Sequence, residues 1–449
     1  MNDFPAFNAR SVRFLLWISM ASYCGTAMAA GFALNEMSAG AVGNAFAGNA
    51  AVAEDASTLF FNPAGLARLH GQQFTLSGSA IRPSIEFSNA GSRSPAGPPA
   101  TGGDGGNAGG WSLVPAMYYA MDLTPSMRFG IGIQSPFGLK TEYEANWVGR
   151  YQALKSDLKT IDINPSLSYA INERLAVGAG LSAQYAKVEL TRAIDFGTVC
   201  ASRLGLATCG PIGFLPQARD GRVVLKGDDW AFGFNAGLMF MLDPATRFGL
   251  SYRSRVQQKI RGDARYDRPA GLPGVLGAAA AFTDAGASAD LTLPESLNLS
   301  AYRNLDAKWS VMGDINWTGW SRFEELRVRF DNGAPDSVVR EEWRNTVRVG
   351  AAVHYRHNDA WKFRSGVSYE NSPVRDANRT PTVPDSRRIA FGVGAQLRQS
   401  DKSTWDFGYA HIFIRDASLN RAEPPLGGTL VGDYQSNVNI LSVQYNHSF

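Results

Sequence analysis

The chain carries five histidines, His70, His354, His357, His411 and His447, and three cysteines, Cys24, Cys200 and Cys209. Nucleophilic hydrolysis would want a serine on a sharp strand-to-helix elbow, yet no G-x-S-x-G motif occurs. No pair of carboxylates and no histidine cluster has the spacing of an acid–base or metal site. Catalysis, a metal and a cofactor are therefore not expected, and His354 reads as a satisfied histidine on an inward strand face. Cys200 and Cys209 lie close together in a Gly- and Ala-containing stretch. In an oxidising compartment they are expected to form a disulfide that closes a short loop. A metal site is the alternative, but two cysteines without nearby histidines make a poor one.

The N-terminus says which compartment that is. Arg10 and Arg13 precede a short apolar run from Phe14 to Met20, and Ala27-Met28-Ala29 fits the small-x-small cleavage rule. Residues 1–29 thus read as a secretory signal. Tyr23 is too bulky for Cys24 to be a lipoprotein site. Removing Arg10, Arg13 and Asp3 from the 43 basic and 40 acidic residues leaves 41 against 39. That near-neutral balance gives no reason to expect nucleic acid as a partner.

Composition points to the elements. Of 449 residues, 45% are hydrophobic and only 18% charged, below the ~25% usual for soluble domains. No run of 18 apolar residues could cross a bilayer as a helix. Instead, period-two alternation recurs from about residue 72 to the end. Leu175, Val177, Ala179, Leu181, Ala183 and Tyr185 alternate with Ala176, Gly178, Gly180, Ser182 and Gln184. Similar patterns run through Val347–Tyr355 and Ile389–Leu397. Successive strand residues point to opposite faces, so each segment has one greasy and one small or polar face. Trp309, Trp317, Trp320, Tyr185 and Tyr355 fall at segment ends, where a transmembrane barrel carries aromatic girdles.

Connections give the strand count. Short polar turns occur near Asp122–Ser126, Asn172–Glu173, Asp243–Ala245, Asn304–Ala307, His357–Ala360 and Gln399–Lys402. Longer loops are expected near 88–110, 146–155, 195–220, 266–288, 331–338, 372–384 and 416–433. Six turns and seven loops predict a 14-stranded antiparallel outer-membrane β-barrel over residues 71–449, all-β, with both termini on the short-turn side. Leu441, Val443, Tyr445 and Phe449 share a face of the last strand, the segment read by the barrel assembly machinery. Residues 30–70 do not alternate and hold Phe32, Leu34, Phe46, Leu59, Phe60 and Phe61. Such residues would be costly in periplasmic water, so this segment is expected to be a hatch inside the lumen.

Gly31-Phe32-Ala33-Leu34-Asn35-Glu36, Ala53-Glu54-Asp55-Ala56-Ser57 and Asn62-Pro63-Ala64-Gly65 resemble the start of the outer-membrane long-chain fatty acid transporter family, the FadL family, which also includes aromatic hydrocarbon channels. The likeness continues in order through Ser135-Pro136-Phe137-Gly138-Leu139, Tyr252-Arg253-Ser254, Leu293-Pro294-Glu295, Trp317-Thr318-Gly319-Trp320-Ser321 and Ser372-Pro373-Val374. It implies a cell outer-membrane barrel whose hatch blocks the lumen. A hydrophobic ligand, most of all a long-chain fatty acid, would settle in a cavity bounded by the hatch. It would leave sideways into the bilayer at a kink in the third strand, without passing through lipopolysaccharide or an aqueous lumen.

The resemblance assigns roles by position. Pro136 removes a ladder donor in the third strand, with Ser135 before it and Gly132 and Gly138 on either side, and marks the lateral opening. Asn62, Pro63 and Ala64 match the hatch motif, and Phe32 is a candidate for touching ligand. Arg192 stands where the family has a headgroup-binding arginine, and Arg344 where its best-known members have a lysine; either would meet a carboxylate. The family works as monomers with outer-membrane lipid as surroundings. Uptake of toluene-like hydrocarbons and a general porin are the competing functions.

Overall fold

The computed structural model describes residues 31–449, so the expected signal segment and Cys24 lie outside the described residues. Twenty hydrogen-bonded segments make one sheet. Six of the strands are continuous: β1 (Gln73–Asn89), β2 (Ser112–Asp122), β4 (Lys155–Ala170), β5 (Leu175–Asp195), β6 (Asp220–Met241) and β14 (Gly428–Ser448). Two more are continuous, β11 (Trp361–Glu370) and β12 (Arg388–Arg398). The rest are broken in two. They are β3 (Met127–Gln134, Gly138–Glu142), β7 (Thr246–Arg253, Val256–Asp267), β8 (Ala285–Leu293, Ser296–Asn304), β9 (Trp309–Thr318, Glu325–Phe330), β10 (Ser337–Arg340, Thr346–Arg356) and β13 (Ser403–Ile414, Ala417–Glu423). Counted this way there are fourteen strands, each antiparallel to its neighbours. The barrel closes where Gln73–Asn89 of β1 pair with Ser448–Gly432 of β14.

Alternation orients every strand. Leu181, Phe232, Leu299, Ile315, Phe391 and Leu441 stand exposed on the outer wall, while Ser182, Gln184, Asn235, Ser300, Asp314 and Gln444 are buried inside. Greasy-out and polar-in is the arrangement that a lipid surround selects. Among the described residues no helix is long and apolar enough to cross a membrane. Trp309 and Tyr355 pack in a tilted pair at the short-turn rim with ring centres 4.6 Å apart. Trp320 departs from the girdle expectation: it is 1% exposed because the chain between the two halves of β9 turns it inward. The loop expected over 416–433 is also much shorter. β13 and β14 continue above the membrane band as a paired ribbon, with Glu423 opposite Gly428.

Inside the wall lies the hatch. It consists of three short helices, α1 (Ala39–Gly43), α2 (Asn49–Val52) and α3 (Thr58–Phe61), and a 3-10 turn over Pro63–Arg68. Glycine and alanine prevent longer helices but allow close packing. Met37, Val42, Ala45, Ala51, Leu59 and Leu66 are fully buried, so the hatch contributes most of its apolar side chains to a core shared with the barrel. In several places its backbone rests directly on the wall. A methyl group at Gly249 would collide with the Ala50 carbonyl oxygen, and one at Gly366 with that of Asn44.

Candidate functional site: an apolar cavity above a broken strand

The break in β3 follows from Pro136, which has no N–H to give the ladder. Its lower half pairs with β2 only as far as Met117 and Ile133. Above that level the upper half pairs with β4 alone, and Ser112–Ala116 pair with β1. The wall therefore has a gap between β2 and β3. Its upper edge is bounded by the first long loop, where Ala108 takes Ile85 and Glu142 as backbone partners. Thr160 closes part of the β4 side: the Phe137 amide donates to its hydroxyl at 3.0 Å, and the hydroxyl donates to the Phe137 carbonyl at 2.7 Å.

The hatch closes the gap from within. The Leu34 amide donates to the Pro136 carbonyl at 2.9 Å, and the Gly138 amide to the Phe32 carbonyl at 2.8 Å. Phe32 then sits in a nest of rings. Trp320 lies 4.6 Å away between centres, Trp343 5.5 Å, Phe323 5.8 Å and Phe137 6.3 Å. Gly31 reaches this nest with φ +63°, and a Cβ there would come 2.6 Å from the Trp343 ring, so only glycine fits. Pro136 and Gly138 thus meet the hatch chain at Phe32–Leu34, and Ser135 is buried next to Pro136. Gly132 is lower, where a Cβ would come 2.5 Å from Gln134 Oε1, 2.9 Å from the Tyr118 ring and 3.1 Å from Leu59 of the hatch; it makes room for wall side chains and the hatch rather than for the gap.

Above Phe32 is an apolar cavity with about 830 Å³ of empty space, counting its open side. Leu139, Leu158, Val188, Leu225, Ile260 and Leu291 line it, one from each of strands β3 to β8. Its outer end merges with a more polar mouth that includes Lys155, Arg192, Glu341 and Glu423 and shares Leu190 and Leu225 with it. Arg192 Nη1 lies 2.9 Å from Glu423 Oε1, and Lys155 Nζ 3.1 Å from Glu189 Oε1. Both cations at the mouth are therefore already paired. Arg344 is not brought to either space: it is exposed, and its Nε donates to the Ser372 carbonyl at 2.9 Å.

Below Phe32 a second chamber of about 870 Å³, open side included, separates hatch from wall, with a mixed lining in which Asn35, Asn235, Arg253, Asn298 and Arg348 face Leu34, Phe60 and Phe61. The hatch motif anchors the floor beside it. Asn62 caps the 3-10 turn by accepting from the Ala64 amide at 3.0 Å, and its Nδ2 donates to the carbonyls of Ala50 and Leu238. Glu54, part of the Ala53-Glu54-Asp55-Ala56-Ser57 motif, ties the hatch to β10 and β11. It meets Lys362 Nζ at 2.7 Å, Arg364 Nη2 at 2.9 Å and His354 Nδ1 at 3.5 Å. Burial pushes its carboxyl up, but Lys362 and Arg364 outweigh burial and hold it well below the usual range. Glu36 is the opposite case: burial lifts its carboxyl to about 7 against the pull of backbone N–H groups, Arg388 and Arg348. Among the described residues no group of three His, Cys, Asp or Glu could hold a metal. Cys200 and Cys209 are joined by a disulfide in the loop between β5 and β6, packed in an apolar cluster with Phe196, Phe214 and Val223.

Comparison with known proteins agrees with this geometry. The chain is similar to the long-chain fatty acid transport protein of Escherichia coli O6:H1, with 30% identity over 417 residues, 91% of this chain and 92% of the relative. Its fold is that of a Pseudomonas aeruginosa FadL homologue (TM-score 0.86, 24% identity, 94% of this chain and all of that one). The Pseudomonas putida toluene transporter TodX has the same fold (TM-score 0.68, 18% identity, 93% and 99% of the chains). The family model described as outer membrane protein transport protein (OMPP1/FadL/TodX) matches residues 20–449. A plugged fourteen-stranded barrel matched from before its hatch to its last residue belongs to the FadL family of outer-membrane transport proteins.

Proposed function

We propose that this protein takes up long-chain fatty acids passively, with the apolar cavity as binding site and hatch movement as the gate. The gap at Pro136 is the exit into the bilayer. One observation carries the reading: Phe32 is both the floor of the cavity and the inner seal of the gap. A ligand that displaces Phe32 meets the lipid-side opening and the partly polar chamber at once. An acyl chain is excluded from the chamber by the cost of stranding polar groups against it, and leaves sideways. The carboxylate would be taken by Arg192 in exchange for Glu423, a trade of one charge-assisted contact for another. Arg344 lies outside both spaces, so its substitution serves as a comparison. The barrel acts as a monomer in outer-membrane lipid and lipopolysaccharide, with Phe449 presented to the assembly machinery.

The test is uptake of radiolabelled oleate by a deletion strain complemented with wild type, Arg192→Ala, Arg344→Ala or both, with toluene uptake measured alongside. Protein-dependent oleate uptake that falls with Arg192→Ala supports the proposal. Toluene uptake untouched by these changes, without oleate uptake, favours the second reading, a channel for aromatic hydrocarbons. That reading draws on the almost wholly apolar cavity lining and on the existing Arg192–Glu423 pair, since a hydrocarbon needs no free cation. A porin would need an open lumen, and the buried hatch argues against it.

A further inference from the structure

A second interruption of the wall lies between β7 and β8. Pairing runs through Val256 and Leu293 above and through Arg253 and Ser296 below, which leaves Ser254, Arg255, Pro294 and Glu295 out of the ladder. Ser254 is tied to β6 instead, donating its amide to the Phe234 carbonyl at 2.8 Å and accepting from the Phe234 amide at 2.9 Å. The result is a crevice of about 680 Å³, open side included, bordered by Phe232, Phe234, Tyr252, Arg255, Glu295 and Arg322. It faces outward, since Phe232 is 78% and Phe234 50% exposed.

Its height is informative. Arg255 is ten residues above the short turn at Ala245, about 33 Å of strand. At a tilt of about 40° that is roughly 25 Å, the thickness of a barrel's apolar band. The two arginines therefore stand near the outer edge of the membrane, where lipid headgroups lie; Phe234 is level with them beside Ser254, Phe232 stands slightly higher on β6, and Tyr252 lies below, facing acyl chains. Arg255 pairs with no carboxylate among the described residues. Arg322 is half exposed and held by Glu295 Oε1 at 3.2 Å. Glu295 Oε2 is buried and has no hydrogen-bond partner. Two cations, an acceptor in want of a donor and aromatic rings beside them together describe an amphiphile with an anionic headgroup that also carries N–H or O–H donors.

We infer that this crevice is a binding site for the phosphate-bearing lipid A moiety of the outer leaflet. Arg255 and Arg322 take the phosphate, Glu295 accepts from a sugar amide or hydroxyl, and Phe232, Phe234 and Tyr252 seat an acyl chain. A free fatty acid could use the arginines but offers no donor to Glu295 once ionised.

The experiment is native mass spectrometry of the full barrel in detergent with added lipid A, dephosphorylated lipid A or oleate. Wild type should retain one lipid A. Arg255→Gln or Arg322→Gln should each weaken retention roughly 5-fold and the double variant roughly 25-fold, as expected for loss of a basic contact at a lipid surface. Lys259→Gln, an exposed cation on β7 outside the crevice, should leave it unchanged. Heat-modifiable migration on gels checks that each barrel is folded; if the double variant misfolds, the single Arg255→Gln variant decides. Equal retention of dephosphorylated lipid A, or undiminished retention by a folded Arg255→Gln variant, overturns the inference. So does displacement of lipid A from this site by oleate.

Discussion

Replacing Phe32 with alanine should unseat the front of the hatch. The ring is 3% exposed and touches four other rings. Truncating a buried phenylalanine costs about 3–5 kcal/mol where the neighbours cannot collapse into the space, and the bulky indoles of Trp320 and Trp343 have little freedom to do so. The seat is otherwise fixed by two backbone hydrogen bonds to β3, each contributing about 1 kcal/mol. Losing about 3 kcal/mol shifts the seated–unseated balance by about two orders of magnitude. Hydrogen exchange at the amides of Leu34 and Gly138 reports those two bonds directly. In Phe32→Ala their protection should fall about 100-fold, while Ala51 and Leu59, deeper in the hatch, keep theirs. Unchanged protection at Leu34 and Gly138 would refute the idea that the ring nest holds the gap closed.

Glu54→Gln should loosen the hatch body by about 2 kcal/mol, the cost of breaking a buried ion pair discounted for partial exposure. Brief ion-conducting openings in planar bilayers would report this, and a silent variant would count against the anchor. Glu36 titrates upward, so its contribution to seating is complete below about pH 4.5 and is lost as pH rises through about 7. Protection across residues 34–38, corrected for the intrinsic pH dependence of amide exchange, should fall between pH 4.5 and 7, and Glu36→Gln should abolish that fall; a fall retained in the variant would refute the assignment to Glu36. Cys200→Ser/Cys209→Ser removes a short-loop crosslink contributing about 3 kcal/mol to the loop. Proteolysis within 196–215 should speed up while barrel melting stays put, and a lowered melting temperature would contradict that separation.

The barrel was readable because strand polarity repeats every two residues and the short turns carry their own polar signatures, as at Asn172–Glu173 and Asp243–Ala245. The ribbon formed by β13 and β14 was not, since above the membrane a strand no longer needs a greasy face and Ala417–Glu423 resembles a loop. Pro136 announced the broken third strand. Pro294 and Gly319 carry comparable signals for the broken wall at β8 and β9, but a tryptophan at a strand end suggests a girdle, which in sequence hides the inward turn of Trp320. Phe32 was found through its place in a resemblance, whereas its partners Trp343 and Phe323 are distant in sequence and became neighbours only through barrel closure. Arg192 and Arg344 illustrate the limit of reading by position: one lines the mouth, already paired, and the other points to solvent.

The bare contacts at Gly249 and Gly366 have a consequence for how interchangeable the parts of this barrel are. With no side chain between hatch carbonyl and wall, the plug is keyed to its own barrel as a casting is to its mould. The matching notches lie on strands far apart in the chain, so no single substitution can re-cut the fit. A hatch exchanged between related barrels should seat only where the recipient already has glycine opposite each protruding carbonyl, and diversity among such proteins should gather in the outer loops and cavity lining instead.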